Sequence, residues 1–161
     1  MGAENIIALD IPDIKGFMSK LLRETTFDHF EFRNMTIDSF ARFEILGRKY
    51  PGSGGFPEST ETKYTNWSIM RRYAYGIIKG EGTTPRMIKI IFGFSPENNC
   101  PGNFDNSIAL FINVHFENGK ITLTSGQSPR NFSFERQDEE KWDETIMSFL
   151  ENNGIYYKSE I

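Results

Sequence analysis

The chain has 161 residues, a formal net charge of −4 at pH 7, and hydrophobic and aromatic fractions of 38% and 14%. A chain of this length is typical of a single domain, which buries enough surface to fold without a disulfide or a structural metal. The aromatic content excludes a disordered chain, and the acidic balance argues against nucleic acid or an anionic membrane as the main partner.

Cysteine usage and the N-terminus bear on where the protein works. A single cysteine, Cys100, excludes an internal disulfide and any zinc site built from several cysteines. No apolar run reaches the roughly 18 residues that a membrane helix needs, and no basic segment precedes a long apolar one at the N-terminus. We therefore expect a cytoplasmic protein with no membrane partner, and we expect residues 1–5 to be a flexible lead.

The first predicted elements are a short edge strand at residues 6–9 and an amphipathic helix at residues 11–23. Asp10 is a residue type that caps helices, and Pro12 suits a first helical turn. Apolar side chains recur in this segment at helical spacing, with polar and basic ones on the other side. The apolar set is Ile14, Phe17, Met18, Leu21 and Leu22.

Two strands and a long loop are predicted next. Alternating apolar residues indicate strands within residues 27–50, with an interruption near Asn34 and with Phe43 and Ile45 facing inward. The connection at residues 38–39 is either a turn or part of a continuous strand. Residues 51–65 are rich in glycine and proline, which predicts a mobile loop.

A second helix is predicted from Asn66 to Gly80, followed by a strand at residues 86–94. A hairpin comes after a polar loop: strand 108–116, the turn dipeptide Asn118-Gly119, and strand 120–124. The two-residue turn fixes the register, which sets apolar against apolar residues and polar against polar ones. The predicted pairs are Glu117 with Lys120, Phe116 with Ile121, His115 with Thr122, Val114 with Leu123, and Asn113 with Thr124.

The C-terminal part is predicted to hold a turn at residues 126–129, a last strand at 131–135 and a third helix that begins at Gln137 or Asp138 and stops at Gly154. Strands joined by short turns pair in antiparallel fashion. The whole chain, residues 1–161, is therefore predicted to be one α+β domain, an antiparallel sheet with about three helices packed on one face.

The charge distribution singles out one candidate binding segment. Residues 67–91 contain five basic side chains and one acidic one, whereas residues 136–161 contain seven acidic and three basic ones. Cations with an interleaved tyrosine can form a solvated helix face, hold an acidic protein surface such as the chain's own third helix, or contact nucleic acid. The candidate residues are Arg71, Arg72, Tyr75, Lys79, Arg86 and Lys89.

A second candidate site is a polar patch on the outer side of the hairpin, made of Asn113, His115, Thr122 and Thr124. Such a patch can bind a small ligand or serve a small enzyme, although the solvent side of an antiparallel sheet is polar in any case. Asp28, His29, His115 and Asp105 lack the converging spacing of a metal site, and Cys100 has no identifiable base. We expect no metal, no cofactor and no catalytic residue.

Several short segments also carry a resemblance. They are Ile7-Ala8-Leu9, Asp13-Ile14-Lys15, Phe17-Met18, Lys20-Leu21-Leu22, Thr26-Phe27-Asp28 with Phe30, Trp67, Arg71-Arg72, Ile78-Lys79-Gly80, Thr84-Pro85, the hairpin, and the helix that carries Trp142. On these segments the chain resembles a family of uncharacterised bacterial proteins, known only as a domain of unknown function. The resemblance covers most of the chain, and it implies no activity and no catalytic residue.

Together these observations predict a non-enzymatic cytoplasmic binding or interaction module, whose partner is another protein or a second copy of the chain. A ligand binder or enzyme that uses the patch around His115 and Asn113 is the first alternative. Nucleic-acid binding through the basic segment is the second alternative, and the overall negative charge makes it the weaker one.

Overall fold

A computed structural model describes residues 7–50, 63–80, 82–94, 104, 107–129 and 137–159. In chain order, these residues form seven strands and three helices. The elements are β1 (Ala8–Ile11), α1 (Ile14–Leu22), β2 (Glu31–Asp38), β3 (Arg42–Leu46), α2 (Trp67–Lys79), β4 (Met87–Phe94), β5 (Ser107–Glu117), β6 (Lys120–Pro129), α3 (Gln137–Asn152) and β7 (Lys158–Ser159).

The strands form one sheet in the order β3-β2-β4-β5-β6-β1-β7. Every neighbouring pair in it is antiparallel. The predicted α+β class is therefore confirmed. None of the helices in the described part of the chain is long and apolar enough to cross a membrane.

The central hairpin has the predicted register, from Glu117 opposite Lys120 to Asn113 opposite Thr124. Its turn uses positive φ angles of 55° and 72° at Asn118 and Gly119, a conformation that asparagine and glycine tolerate best. Side chains alternate as expected from the pleat: Val114 is fully buried, whereas its neighbours on the strand face away from the core.

All three helices pack on the buried face of this sheet. The ring of Trp67 in α2 lies 5.3 Å from that of Phe92, and the ring of Trp142 in α3 lies 4.9 Å from that of Phe94. Phe92 and Phe94 are two positions apart on β4, so they share one face. Helix α1 joins the same core, because the ring of its Phe17 lies 5.5 Å from that of Phe27, which stacks on Phe92. Large rings thus fill the layer between sheet and helices.

Both tryptophans also make a hydrogen bond inside this layer. Trp67 Nε1 donates to the carbonyl of Leu21 at 2.7 Å, which ties α2 to α1. Trp142 Nε1 donates to the carbonyl of Phe111 at 2.9 Å, which ties α3 to β5. A buried indole N–H without an acceptor is costly, so these two bonds fix how each helix sits.

The N-terminal prediction is wrong in two respects. β1 is not an edge strand, because it lies between β6 and β7. Asp10 does not cap the helix, because it lies in β1 opposite Thr122. The residue before a proline is disfavoured in helical geometry, so Ile11 stays extended ahead of Pro12 and the helix begins later. The cap is Asp13, whose side chain accepts a hydrogen bond from the Gly16 backbone N–H at 3.0 Å.

The predicted turn at residues 126–129 is also wrong, because β6 continues through it to Pro129. Gly126 pairs with Phe111, and a Cβ at Gly126 would lie 3.4 Å from the Cβ of Phe111. Pro129 closes the end of the strand opposite Ser107, where its missing N–H costs little. The predicted strand at residues 131–135 lies outside the described residues.

The C-terminal segment returns to the sheet, which the sequence did not predict. Gly154 ends α3 with a φ of +70°, and β7 then pairs with β1. The hydroxyl of Tyr157 donates to the carboxylate of Glu151, and this hydrogen bond, with some burial, raises the pKa of Tyr157 above its usual value. The short strand and this bond hold the end of the chain against the domain.

The end of the predicted mobile loop is hydrogen-bonded to the segment that follows β3. The N–H of Thr65 donates to the carbonyl of Gly47 at 2.9 Å, and the N–H of Lys49 donates to the carbonyl of Lys63 at 2.9 Å. Next to this segment, the pairing of β2 with β4 shifts between Phe32 and Asn34, which matches the interruption expected near Asn34. Residues 51–62 and 1–5 lie outside the described residues.

Candidate functional site

A groove runs between α1, α2 and the segment that leads from α2 into β4. Its volume is about 750 Å³, which lies in the range of protein binding sites. Tyr75 and Lys79, two of the predicted binding residues, line it. We call this feature the helix groove, and it is built from three groups of side chains.

The first group comes from α1, which carries apolar residues on two stripes. Phe17 and Leu21 point into the core and are at most 2% exposed. Ile14, Met18 and Leu22 recur every fourth residue and line the groove instead. Ile14 and Met18 are only partly covered. A helix with this much apolar surface leaves part of it in solvent unless something else covers it.

The second group forms the apolar floor of the helix groove. Ile78 from α2 and Ile88 from β4 are buried, and Phe116 from β5 is half-buried beside them. The floor therefore belongs to the rigid sheet and to the well-packed side of α2. Because the backbone of these elements is held by regular hydrogen bonds, the floor of the groove is preformed, and residues 82–85 of the connection between α2 and β4 complete the lining.

The third group is a basic rim formed by Lys15 on α1, by Arg23 at the C-cap of that helix and by Lys79 at the end of α2. All three are exposed, and none forms an ion pair with any residue that the structure describes. Lys15 and Arg23 are eight positions apart, which places their backbones about 12 Å apart along the helix axis. The positive charge is thus spread along the groove.

Arg71 has a structural partner. Its Nε and Nη2 atoms donate to the two carboxylate oxygens of Asp28 at 2.9 and 3.0 Å, and both side chains are mostly buried. Such a two-bond ion pair between α2 and the segment after α1 positions the helices. The same contact occupies Asp28, one of the residues considered above for a metal site.

We expect Arg71→Met to lower the free energy of unfolding by about 1–3 kcal/mol, because it leaves the Asp28 carboxylate buried without its partner. The matched control is Arg72→Met on the exposed side of the same helix, where the change should stay within about 0.5 kcal/mol. Urea denaturation of both variants measures the difference. Equal effects at the two positions would show that the ion pair has no structural role.

The remaining two basic-segment residues lie away from the helix groove. Lys89 alternates with the buried Ile88 and Ile90, so it points to the outer face of the sheet, where it lies opposite His115. Arg86 contacts carboxylates of Asp38 at 2.9 Å and of Glu117 at 3.9 Å. The structure therefore divides the six predicted binding residues between the helix layer and the outer sheet face.

The four residues of the alternative patch lie next to one another on that outer face. Asn113 Nδ2 donates to Thr124 Oγ1 at 3.1 Å, and His115 lies opposite Thr122. The imidazole of His115 is about half exposed, and its Nε2 lies 3.3 Å from a carboxylate oxygen of Glu117. Asn113 lines a cavity, which is described further below. His115 is exposed, and Thr122 and Thr124 are half-buried.

In the described part of the chain, no three His, Cys, Asp or Glu side chains cluster as metal ligands. Asp105 and Cys100 lie outside the described residues. The residues that sequence reasoning missed are Lys15, Arg23, Ile14 and Met18. Their signal was the breadth of the apolar surface on α1, but only the position of α2 shows which stripe is left uncovered.

Comparison with known families adds one finding. A family model matches residues 20–158, which include α2, α3 and the strands from β2 to β6. The chain belongs to a family of unknown function (DUF5721). The predicted resemblance to such a family is confirmed, and membership brings no activity to the groove. No curated protein and no solved structure matches the chain.

Proposed function

We propose that this chain is a non-enzymatic binding module, and that its helix groove holds a segment of a partner protein in which apolar side chains alternate with carboxylates. An amphipathic helix laid into an apolar groove is a common mode of protein recognition. The proposal extends to the cytoplasm as the place of action, which the single cysteine supports.

One observation carries this proposal: the same groove is lined by partly exposed apolar residues and by cations that form no ion pair with a described residue. Ile14 and Met18 offer apolar surface whose burial by a partner is favourable. Lys15, Arg23 and Lys79 surround that surface and offer charge complementarity to acidic groups. A ligand that satisfies both must be apolar in the middle and acidic at its edges.

The spread of the cations favours a protein segment over a small amphiphile. A fatty acid carries one carboxylate, which satisfies one end of the groove and leaves the cation at the other end alone. Lys15 and Arg23, about 12 Å apart along α1, are better matched by acidic residues two turns apart on a partner helix. We therefore commit to a partner with several carboxylates.

A peptide-display library screened against the purified chain tests the proposal. We expect enrichment of peptides with apolar residues at helical spacing and acidic residues beside them. The double variant Arg23→Glu/Lys79→Glu replaces two attractions with two repulsions. It should therefore weaken the binding of an enriched peptide by at least about tenfold. Fluorescence anisotropy with the labelled peptide measures the dissociation constants.

Lys89→Glu is the matched control, because it reverses a charge of the same type on the outer sheet face, away from the groove. Its peptide affinity should stay close to that of the unchanged chain. Failure to enrich any acidic amphipathic peptide, or equal losses in Lys89→Glu and in the double variant, would contradict the groove as the binding site.

The two other hypotheses for the basic residues give different results in the same samples. A second copy of the chain as partner, for example through exposed Glu140 and Glu144 of α3, predicts a dimer in sedimentation velocity that the double variant loses. Nucleic-acid binding through Arg72 and its neighbours predicts retention on heparin that falls steeply with salt. We expect the chain to sediment as a monomer and to elute from heparin at low salt.

A further inference from the structure

A second cavity, of about 510 Å³, opens on the outer face of the sheet, which is the face opposite the three helices. Residues from four separate parts of the chain line it: Arg33 in β2, Arg48 after β3, Tyr64 before α2, and Phe111 and Asn113 in β5. We call it the outer-face pocket. It shares no residue with the helix groove.

The guanidinium of Arg33 forms one wall of this pocket and is held in place from several sides. It lies 4.1 Å from the ring centroid of Tyr64 and 5.3 Å from that of Phe111. Its Nη2 pairs with a carboxylate oxygen of Glu31 at 3.2 Å, and the Glu31 side chain is 5% exposed. These three contacts leave the arginine little freedom.

The backbone is shaped to bring Arg33 into this position. The register shift between Phe32 and Asn34 adds one residue to β2 at this point, and such bulges redirect side chains. Arg33 then crosses β4 at Gly93, where an added Cβ would lie 2.2 Å from Arg33 Nε. That Nε is buried and has no hydrogen-bond partner among the described residues. The bulge in β2 and the missing side chain at Gly93 together let the arginine lie flat against β4.

The floor of the pocket suits a flat ring. Phe111 lies in a row between Gly93 and Gly126, its partners on the two neighbouring strands. Arg33 covers Gly93, whereas a Cβ added at Gly126 would make only ordinary van der Waals contacts, with Phe111 Cβ at 3.4 Å and Phe111 Cδ2 at 3.6 Å. Half-buried Ile91 and exposed Leu46 complete an apolar border. A planar group above Gly126 would contact the face or edge of Phe111.

The charge of the pocket suits a single anionic group. Glu31 compensates Arg33, so the net positive charge comes from Arg48, which is exposed and has no ion pair in the part of the chain that the structure describes. Asn34 and Asn113 add amides at the rim, and Asn113 is held by Thr124 through its nitrogen. Among the described residues, its amide oxygen remains available as an acceptor.

We propose that the outer-face pocket binds a small planar aromatic anion, whose ring lies over Gly126 against Phe111 and whose carboxylate or phosphate pairs with Arg48. This site is independent of the function proposed above. Aromatic and cationic walls with a few amides at the rim are the usual composition of small-ligand sites.

Chemical-shift titration with two matched probes tests this proposal. Benzoate has a planar ring and one carboxylate, and cyclohexanecarboxylate has the same charge on a puckered ring. We expect saturable shifts of the Phe111, Asn113 and Gly126 amides with benzoate, and clearly weaker binding of cyclohexanecarboxylate. Equal affinities for the two probes, no saturable shift at these amides, or shifts confined to the helix groove would overturn the proposal.

Three variants locate the binding. Arg48→Glu should weaken the binding of benzoate by about fivefold or more, and Lys89→Glu on the same sheet face should leave it unchanged. Gly126→Val fills the floor of the pocket, and its Cβ would make only ordinary contacts, with Phe111 Cβ at 3.4 Å and Asn113 Nδ2 at 3.8 Å. Because the valine fills the space that the ring of the ligand would occupy, it should abolish binding. Because its Cβ makes no close contact, the melting temperature should be retained. Unchanged affinity in Arg48→Glu and Gly126→Val would place benzoate elsewhere.

Discussion

Replacing Phe92 with alanine is expected to lower the free energy of unfolding by about 3–5 kcal/mol. The side chain is 0% exposed, and its ring lies 5.3–5.8 Å from those of Phe27, Phe30 and Trp67. These neighbours belong to α2 and to the segment between α1 and β2, and the rigid sheet lies beneath them. They cannot close the cavity without moving a whole helix, so the cost stays near the upper end for a phenylalanine. Chemical denaturation measures it.

Ile91→Ala is the control, because Ile91 is the adjacent residue on β4 and faces the other way. It is half-buried on the outer face, so its replacement should cost about 1 kcal/mol or less. The ratio of the two effects tests which face of the sheet carries the core. An Ile91→Ala effect as large as that of Phe92→Ala would mean that the outer face is covered in the folded protein.

The predicted parts of this fold are those that local chemistry determines. The register of the central hairpin follows from Asn118-Gly119, because a two-residue turn leaves one way to pair the flanking strands. The second helix follows from its spacing of apolar residues, which end at Gly80. In each case the signal and the element occupy the same short stretch of sequence.

The parts that were missed depend on residues far away in the chain. Gly126 belongs to a pattern typical of turns, yet β6 continues through it because Phe111 on the neighbouring strand occupies the adjacent space. β7 has two residues and therefore no periodicity to detect. β1 was expected at an edge because nothing near residues 6–9 indicates that the C-terminus returns beside it.

The candidate sites follow the same division. The cations of α2 were visible in the sequence, and Tyr75 and Lys79 do line the helix groove. Arg71 is instead bound to Asp28, which lies 43 positions away in the sequence. This contact depends on the tertiary structure and could not be predicted from the local sequence. Of the predicted site residues, Asn113 alone lines the outer-face pocket. The arginine wall of that pocket could not be predicted, because it depends on the bulge in β2.

Gly47→Ala is expected to be the other strongly destabilising change, at about 3 kcal/mol or more. A Cβ at this buried position would lie 1.9 Å from the carbonyl oxygen of Phe32 and 2.7 Å from its ring carbon Cδ2. The backbone cannot move away, because the N–H of Gly47 donates to Arg33 and its carbonyl accepts from Thr65, each at 2.9 Å. One methyl group must therefore break pairing beside the bulge of β2. Urea denaturation gives the loss.

The same substitution at Gly76 should have the opposite sign. Gly76 is exposed in the middle of α2, and a Cβ there would meet nothing within 4 Å. Alanine restricts the unfolded chain more than glycine does and favours the helix, so Gly76→Ala should stabilise the protein by about 0.5–1 kcal/mol. We expect Gly47→Ala to lower the free energy of unfolding and Gly76→Ala to raise it. A Gly47→Ala variant as stable as the parent would show that residues 47–49 do not pair tightly with residues 63–65, and the wall of the outer-face pocket at Tyr64 would then lack its support.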